Sequence, residues 1–168
     1  MSEDVTLPRS GVLPPWTSVR TRHVEPELMD RQDLDSAQRQ QALAGLRRIN
    51  FFSLTARSLW RPIHEFARAE GRPIRVLDLA SGGGDVVLGL SRLAQRARLP
   101  IEGHGCDLNW EAVEMAKARA TSLGLAATFL VCDVTASAVP HGYDVITNTL
   151  FMHHFEDDDA LRVLAAIR

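Results

Sequence analysis

The segment Ile74-Arg75-Val76-Leu77-Asp78-Leu79-Ala80-Ser81-Gly82-Gly83-Gly84-Asp85 constrains this chain more than any other. A short apolar, β-branched run passes into a cluster of small residues. A helical pattern over 85–98 follows directly, with Val86, Leu90, Leu93 and Ala97 on one face. Glycines let the backbone bend tightly and let a ligand lie against bare peptide, while the opening turn of the helix supplies N–H groups. Taken alone, Gly82-Gly83-Gly84 reads more readily as a flexible turn than as a ligand loop. The strand ahead of it and the carboxylate of Asp78 favour a ligand loop.

The alternation continues. Ile101 to Cys106 reads as a second strand, and 109–123 as a helix with Asn109 as cap and Gly124 just past its end. Thr128 to Cys132 reads as a third strand, Tyr143 to Thr147 as a fourth, and a last helix starts near Asp157–Asp159. Strands alternating with helices predict βαβ units and an α/β, doubly wound parallel sheet, which binds ligands at the carboxyl ends of its strands. Before Gly71 nothing resembles a strand. Residues 1–20 carry Pro8, Pro14 and Pro15 with little apolar periodicity. Asp35-Ser36 caps a helix over 36–48, a second helical pattern covers about 51–60, and Pro62 restarts another that runs to Gly71. The expected organisation is a flexible tail at 1–33, a helical cap or lid at 34–71, and the sheet domain at 72–168. Phe51, Phe52 and Trp60 suit the core of that cap better than substrate stacking.

The net charge of −2 leaves no basic stripe for nucleic acid, and no run approaches the roughly 20 apolar residues that span a bilayer. The acidic start, MSEDVTLPRS, is unlike a secretory signal, so a cytoplasmic location is expected. In a reducing compartment Cys106 and Cys132, each inside an apolar run, read as small core residues rather than a disulfide.

The glycine turn is selective about its ligand. The dinucleotide pattern G-x-G-x-x-G fails from Gly82, because its sixth place is Val87, and from Ala80 it fails at the first place. No Gly-Lys-Ser/Thr follows, so the P-loop pattern is absent as well. Asp78 would repel a pyrophosphate but suits a ligand carrying cationic groups, such as the ammonium and sulfonium of S-adenosylmethionine.

Asp78 through Gly84 resembles the first motif of class I (Rossmann-like) methyltransferases, an acid followed by three spaced glycines, with Ala80 in place of the first. The resemblance implies S-adenosylmethionine as cofactor. Asp78 would face its methionyl part, and Ala80, Ser81, Gly82 and Gly84 would give close backbone approach. It extends to Asp107-Leu108 at the end of the second strand, where a carboxylate can accept both ribose hydroxyls. Cys132-Asp133 resembles the place that receives the adenine amino group. The run from Tyr143 to Phe155, with Asn148 after the strand, resembles the ubiquinone/menaquinone-type branch, which acts on small molecules. Asp107 and Asp133 also suit simple capping, and Asp144 a turn.

His153 and His154 invite a metal site, but adjacent residues do not share a helix face and no Glu or Cys stands at ligand spacing, so no metal is expected. His153 is the candidate to line the methyl-transfer pocket or to act there as general base. Asp157, Asp158 and Asp159 suit the opening turn of the last helix.

The class I sheet has seven strands, and this chain supplies the first four, with the fourth strand as an open edge. A C-terminal truncation is the favoured expectation, beside completion of the sheet by another copy or a partner, or cover by the N-terminal helices. Methyl transfer to a small-molecule acceptor is the leading expectation. A non-catalytic S-adenosylmethionine-binding module that dimerises through that edge is the alternative. A nicotinamide-dependent oxidoreductase is disfavoured by the glycine spacing and by the lack of a Tyr-x-x-x-Lys sequence.

Overall fold

The computed structural model describes residues 55–135 and 139–167. The expected tail at 1–33 and the helix at 36–48 lie outside the described residues. Four strands, β1 (Ile74–Leu79), β2 (Ile101–Asp107), β3 (Ala127–Val131) and β4 (Val145–Asn148), form one parallel sheet in the order β3-β2-β1-β4. The helices are α1 (Thr55–Glu70), α2 (Asp85–Ala97), α3 (Trp110–Leu123) and α4 (Asp157–Ala166), with a 3₁₀ turn at Met152–His154. This is the doubly wound α/β architecture.

β1 is central, and every residue in it except Arg75 is buried. A strand covered on both faces has no polar side to present, which explains its unbroken apolar run. Ile74 and Val76 pack with Ile63 and Ala67 of α1 and with Val86 and Leu90 of α2. Leu77 and Leu79 face the other way, against Cys106, Val134 and Val139, with Ile146, Phe151 and Ala166 around them. A third cluster joins α2 and α3 to β3 through Val87, Val113, Ala116, Ala120 and Phe129. α3 begins where the Asn109 side chain accepts the N–H groups of Glu111 and Ala112, at 3.0 and 3.3 Å, and ends at Gly124 with φ 61°.

Two boundaries differ from the sequence expectation. Pro62 does not restart a helix; it lies inside α1, which runs unbroken from Thr55 to Glu70. A proline there removes one donor and costs roughly 3 kcal/mol, which the docking of Ile63 and Ala67 on β1 and α2 offsets. The fourth strand starts at Val145 rather than Tyr143, because the preceding residues are held in another way. The Asp144 carboxylate accepts the backbone N–H of Arg75 at 2.8 Å and pairs with Arg72 at 2.5 Å, and Arg75 lies 4.6 Å above the Tyr143 ring. Asp144 therefore fastens the entry of β4 to β1, and its two arginine partners and that N–H hold its carboxyl below the ordinary value.

No helix among the described residues is long and apolar enough to cross a membrane. Cys106 and Cys132 are both free thiols, the first buried and the second partly so.

α1 reaches the sheet domain through a close helix crossing. A Cβ at Gly89 would stand 2.6 Å from the Cβ of Ala56. We expect Gly89→Val to force α1 and α2 apart and to cost about 1–3 kcal/mol in thermal or urea unfolding. Unchanged stability would show that α1 does not dock here.

Candidate functional site

The strand register sets the four marked strand ends along one rim of the sheet. Leu79 pairs with Cys106 on one side and Asn148 on the other, while Asp107 pairs with Val131, one residue before Cys132. The turn after β1 folds over the end of β2. Ser81 donates its N–H to the Cys106 carbonyl at 2.9 Å, and Gly82 donates its N–H to Asp107 Oδ2 at 2.7 Å. The other oxygen of Asp107 accepts the Asn109 N–H at 2.9 Å, and the Asp107 carbonyl accepts the Cys132 N–H at 3.0 Å. The structure thus joins Ser81, Gly82, Gly84, Asp107 and Cys132 in one network, with Ala80 next to it in the chain.

Backbone conformation explains the small residues. Ala80, Gly82 and Gly84 have φ of 52°, 50° and 77°. At Gly82 an added Cβ would meet nothing within 4 Å, so that face of the turn is open. At Gly84 it would lie 2.7 Å from the Phe129 ring, so this glycine is required by packing as well as by φ. Ala80 occupies the left-handed region with a side chain, at a cost of about 1–2 kcal/mol. The alanine in place of a glycine is tolerated in space and strained in the backbone.

Asp78 is 2% exposed and accepts a hydrogen bond from Thr147 Oγ1 at 2.8 Å. Burial pushes its carboxyl up to about 7; the Thr147 bond opposes the rise and the neighbouring Asp107 adds to it. The expected carboxylate is therefore a buried acid that exchanges its proton near neutrality. Burial also raises Asp107, opposed by the two N–H groups it accepts. Leu108 and Trp110 stand beside it, 66% and 62% exposed. The Asp133 carboxylate accepts the N–H and hydroxyl of Thr135, at 2.9 and 2.6 Å, which is a local turn of the capping kind.

His153 is exposed in the 3₁₀ turn beyond β4, which follows Leu150 at φ 54°. The His153 and His154 rings lie beside one another in this turn, their centroids 4.1 Å apart. Among the described residues no group of three or more His, Cys, Asp or Glu is arranged to hold a metal ion. Two recesses flank the sheet. One, of about 290 Å³, lies at the amino ends of the strands among Pro73, Ser91, Pro100 and Leu125. The other, of about 410 Å³, lies between Val134 and Thr135 and the α4 residues Arg162 and Val163.

Sequence reasoning missed two residues that reach the site from a distance. Thr147 lies in a segment already singled out, yet nothing local marks it as the partner of Asp78. Arg119, one of many arginines, donates to the Gly83 carbonyl and, at 2.7 Å, to the Asp85 carboxylate.

Because Asp78 binds its proton more tightly in the folded chain than the ordinary value of 3.8 allows, the folded state holds the extra proton between about pH 4 and pH 7. Its contribution is full below that window and is lost as pH rises through it. We expect Asp78→Asn to lose less stability than the parent chain between about pH 4 and pH 7 in urea unfolding. Equal losses would show an ordinary carboxyl.

Three comparisons bear on this geometry. Residues 76–168, more than half of the chain, match the family model described as a methyltransferase domain. Comparison with curated proteins finds no significant match. Among solved structures, the plantazolicin methyltransferase BpumL in complex with SAH is 19% identical, with a TM-score of 0.57 over 79% of this chain and 48% of its own. Magnesium protoporphyrin IX methyltransferase (ChlM) from Synechocystis PCC 6803, with bound SAM, is 15% identical, with a TM-score of 0.54 over 83% of this chain and 61% of its own. YcgJ from Bacillus subtilis is 30% identical over 55% of this chain, with a TM-score of 0.45. The chain spans about two fifths, 38% and 42%, of the first structures it matches. The first two likenesses show the fold, and the match over 76–168 shows the family: this chain belongs to the methyltransferase-domain family.

Proposed function

We propose that the rim formed by the glycine turn, Asp107 and Asp78 binds S-adenosylmethionine, and that the protein containing this chain transfers the methyl group to a small-molecule acceptor. The observation that carries the reading is an open glycine turn tied to a rim carboxylate, Gly82 N–H to Asp107 Oδ2, with a second acid buried directly beneath. Proteins of like fold include an S-adenosylmethionine-dependent methyltransferase and methyltransferases holding SAM or SAH, one of them named for a porphyrin acceptor.

The residues present fit that ligand. Each Asp107 oxygen accepts one N–H and keeps a lone pair, so both remain able to receive a ribose hydroxyl. Gly82 leaves open space against the backbone. Leu108 offers an exposed apolar surface to the adenine, with Cys132 and Asp133 near its amino group. Asp78 supplies acceptor character toward the cationic methionyl end, and a bound cation favours its ionised form. Asn148 lines the turn from β4. S-adenosylmethionine supplies an electrophilic methyl on a sulfonium, so the protein contributes mainly position and exclusion of water. His153 is the candidate to take a proton from the acceptor.

A second reading, a non-catalytic binding module that dimerises, is favoured by one observation: among the described residues β4 pairs only with β1 and leaves its outer edge unpaired. Calorimetric titration with S-adenosylhomocysteine, alongside sedimentation, separates the readings. We expect saturable binding by a monomer, weakened about tenfold or more by Asp107→Ala, since hydrogen bonds to a charged group contribute about 1.5–3 kcal/mol each. Binding by a dimer favours the module. No binding by a folded chain contradicts both.

A further inference from the structure

We propose that Arg119 is a positioning residue for cofactor binding, a role that rests on the reading of the glycine turn as the S-adenosylmethionine site. Arg119 lies on α3, on a different βα unit from the turn. Its guanidinium reaches across as a fork: Nη1 donates to the Gly83 carbonyl and Nη2 to Asp85 Oδ1, at 2.7 Å. The fork therefore grips the last peptide of the turn and the first residue of α2 together. The ion pair is largely shielded, with Arg119 24% and Asp85 18% exposed.

The grip fixes a specific peptide plane. The carbonyl of the Gly83–Gly84 peptide is held by Arg119, and its N–H donates to the Ser81 carbonyl at 2.9 Å. Two peptides earlier, Gly82 N–H is held by Asp107. Glycine peptides rotate more freely than any others, and an untethered run of three would lose that freedom on binding a ligand. With both sides of the turn anchored, the loss is incurred on folding rather than on binding. The charges are arranged for this purpose. A bare guanidinium would repel a cationic ligand, and the carboxylate of Asp85 neutralises it in place. Lysine cannot substitute fully, because a single ammonium does not reproduce the planar two-pronged donor set.

The test compares the full chain with Arg119→Met, which keeps the aliphatic stem, with Arg119→Lys, and with Asp85→Ala, which severs one prong and leaves the arginine. Each is titrated with S-adenosylhomocysteine, and amide exchange is read at Gly82, Gly83 and Gly84 in the ligand-free chain. We expect affinity to fall about tenfold in Arg119→Met and to recover only in part in Arg119→Lys. Exchange in the turn should quicken while exchange in β1 and β2 stays unchanged. A merely structural role would lower the melting temperature and leave the affinity of the folded fraction unaltered. A folded Arg119→Met chain that binds within twofold of the parent, with unaltered exchange in the turn, overturns the proposal while the cofactor reading stands. A parent chain that does not bind overturns both. If Arg119→Met does not fold, Asp85→Ala decides on the same two readouts.

Discussion

The ring of Phe129 occupies space that two glycines leave empty, and the site depends on that packing. A Cβ at Gly84 would lie 2.7 Å from the ring, and one at Gly105 would lie 2.8 Å from it. Because neither exists, β3 brings its phenylalanine beneath the point where the β1 turn enters α2, and Ala116 of α3 closes in beside it. The turn is thus carried on a packed floor made by β2, β3 and α3. Interiors at this density transmit displacement rather than absorb it, so a methyl group at either glycine would move the loop itself.

On that floor the polar contacts divide the work. Asp107 secures the turn from β2 with its carboxylate, Arg119 secures it from α3, and Ser81 closes it internally. Asp78 contributes little tethering: it lies buried under the rim with Thr147, held near its proton-exchange point by the loss of water around it. The arrangement places one acid at the rim, bonded to the turn, and a second buried close enough to feel its charge: Asp107 adds to the upward shift of Asp78.

How much of this was legible in the sequence follows from the distance over which each signal acts. The β1–turn–α2 unit, the Asn109 cap and the Gly124 stop are local, and the structure has them where the pattern puts them. Pro62 was misleading because local propensity is a weak force beside the docking of α1 on the sheet. The Asp144 clasp, the Thr147 bond to Asp78 and the Arg119 fork join residues 34 to 72 positions apart, and no spacing rule announces them. The carboxylate of Asp78 could be read from its position before the glycines, but its protonation could not, since that depends on burial from both sheet faces. The 3₁₀ turn that carries His153 and His154 had no local signal of its own, since the run after β4 shows neither strand nor helix periodicity.

The central claim is that the ligand sits on the carboxyl rim of the sheet, and amide chemical-shift mapping of the isotope-labelled chain during titration with S-adenosylhomocysteine tests it most directly. The account predicts shifts concentrated at Gly82, Gly83, Gly84, Leu108 and Asn109, with the recess around Ser91 and Leu125 at the opposite end unaffected. Saturable shifts at that opposite recess, with the glycine turn unmoved, would contradict it.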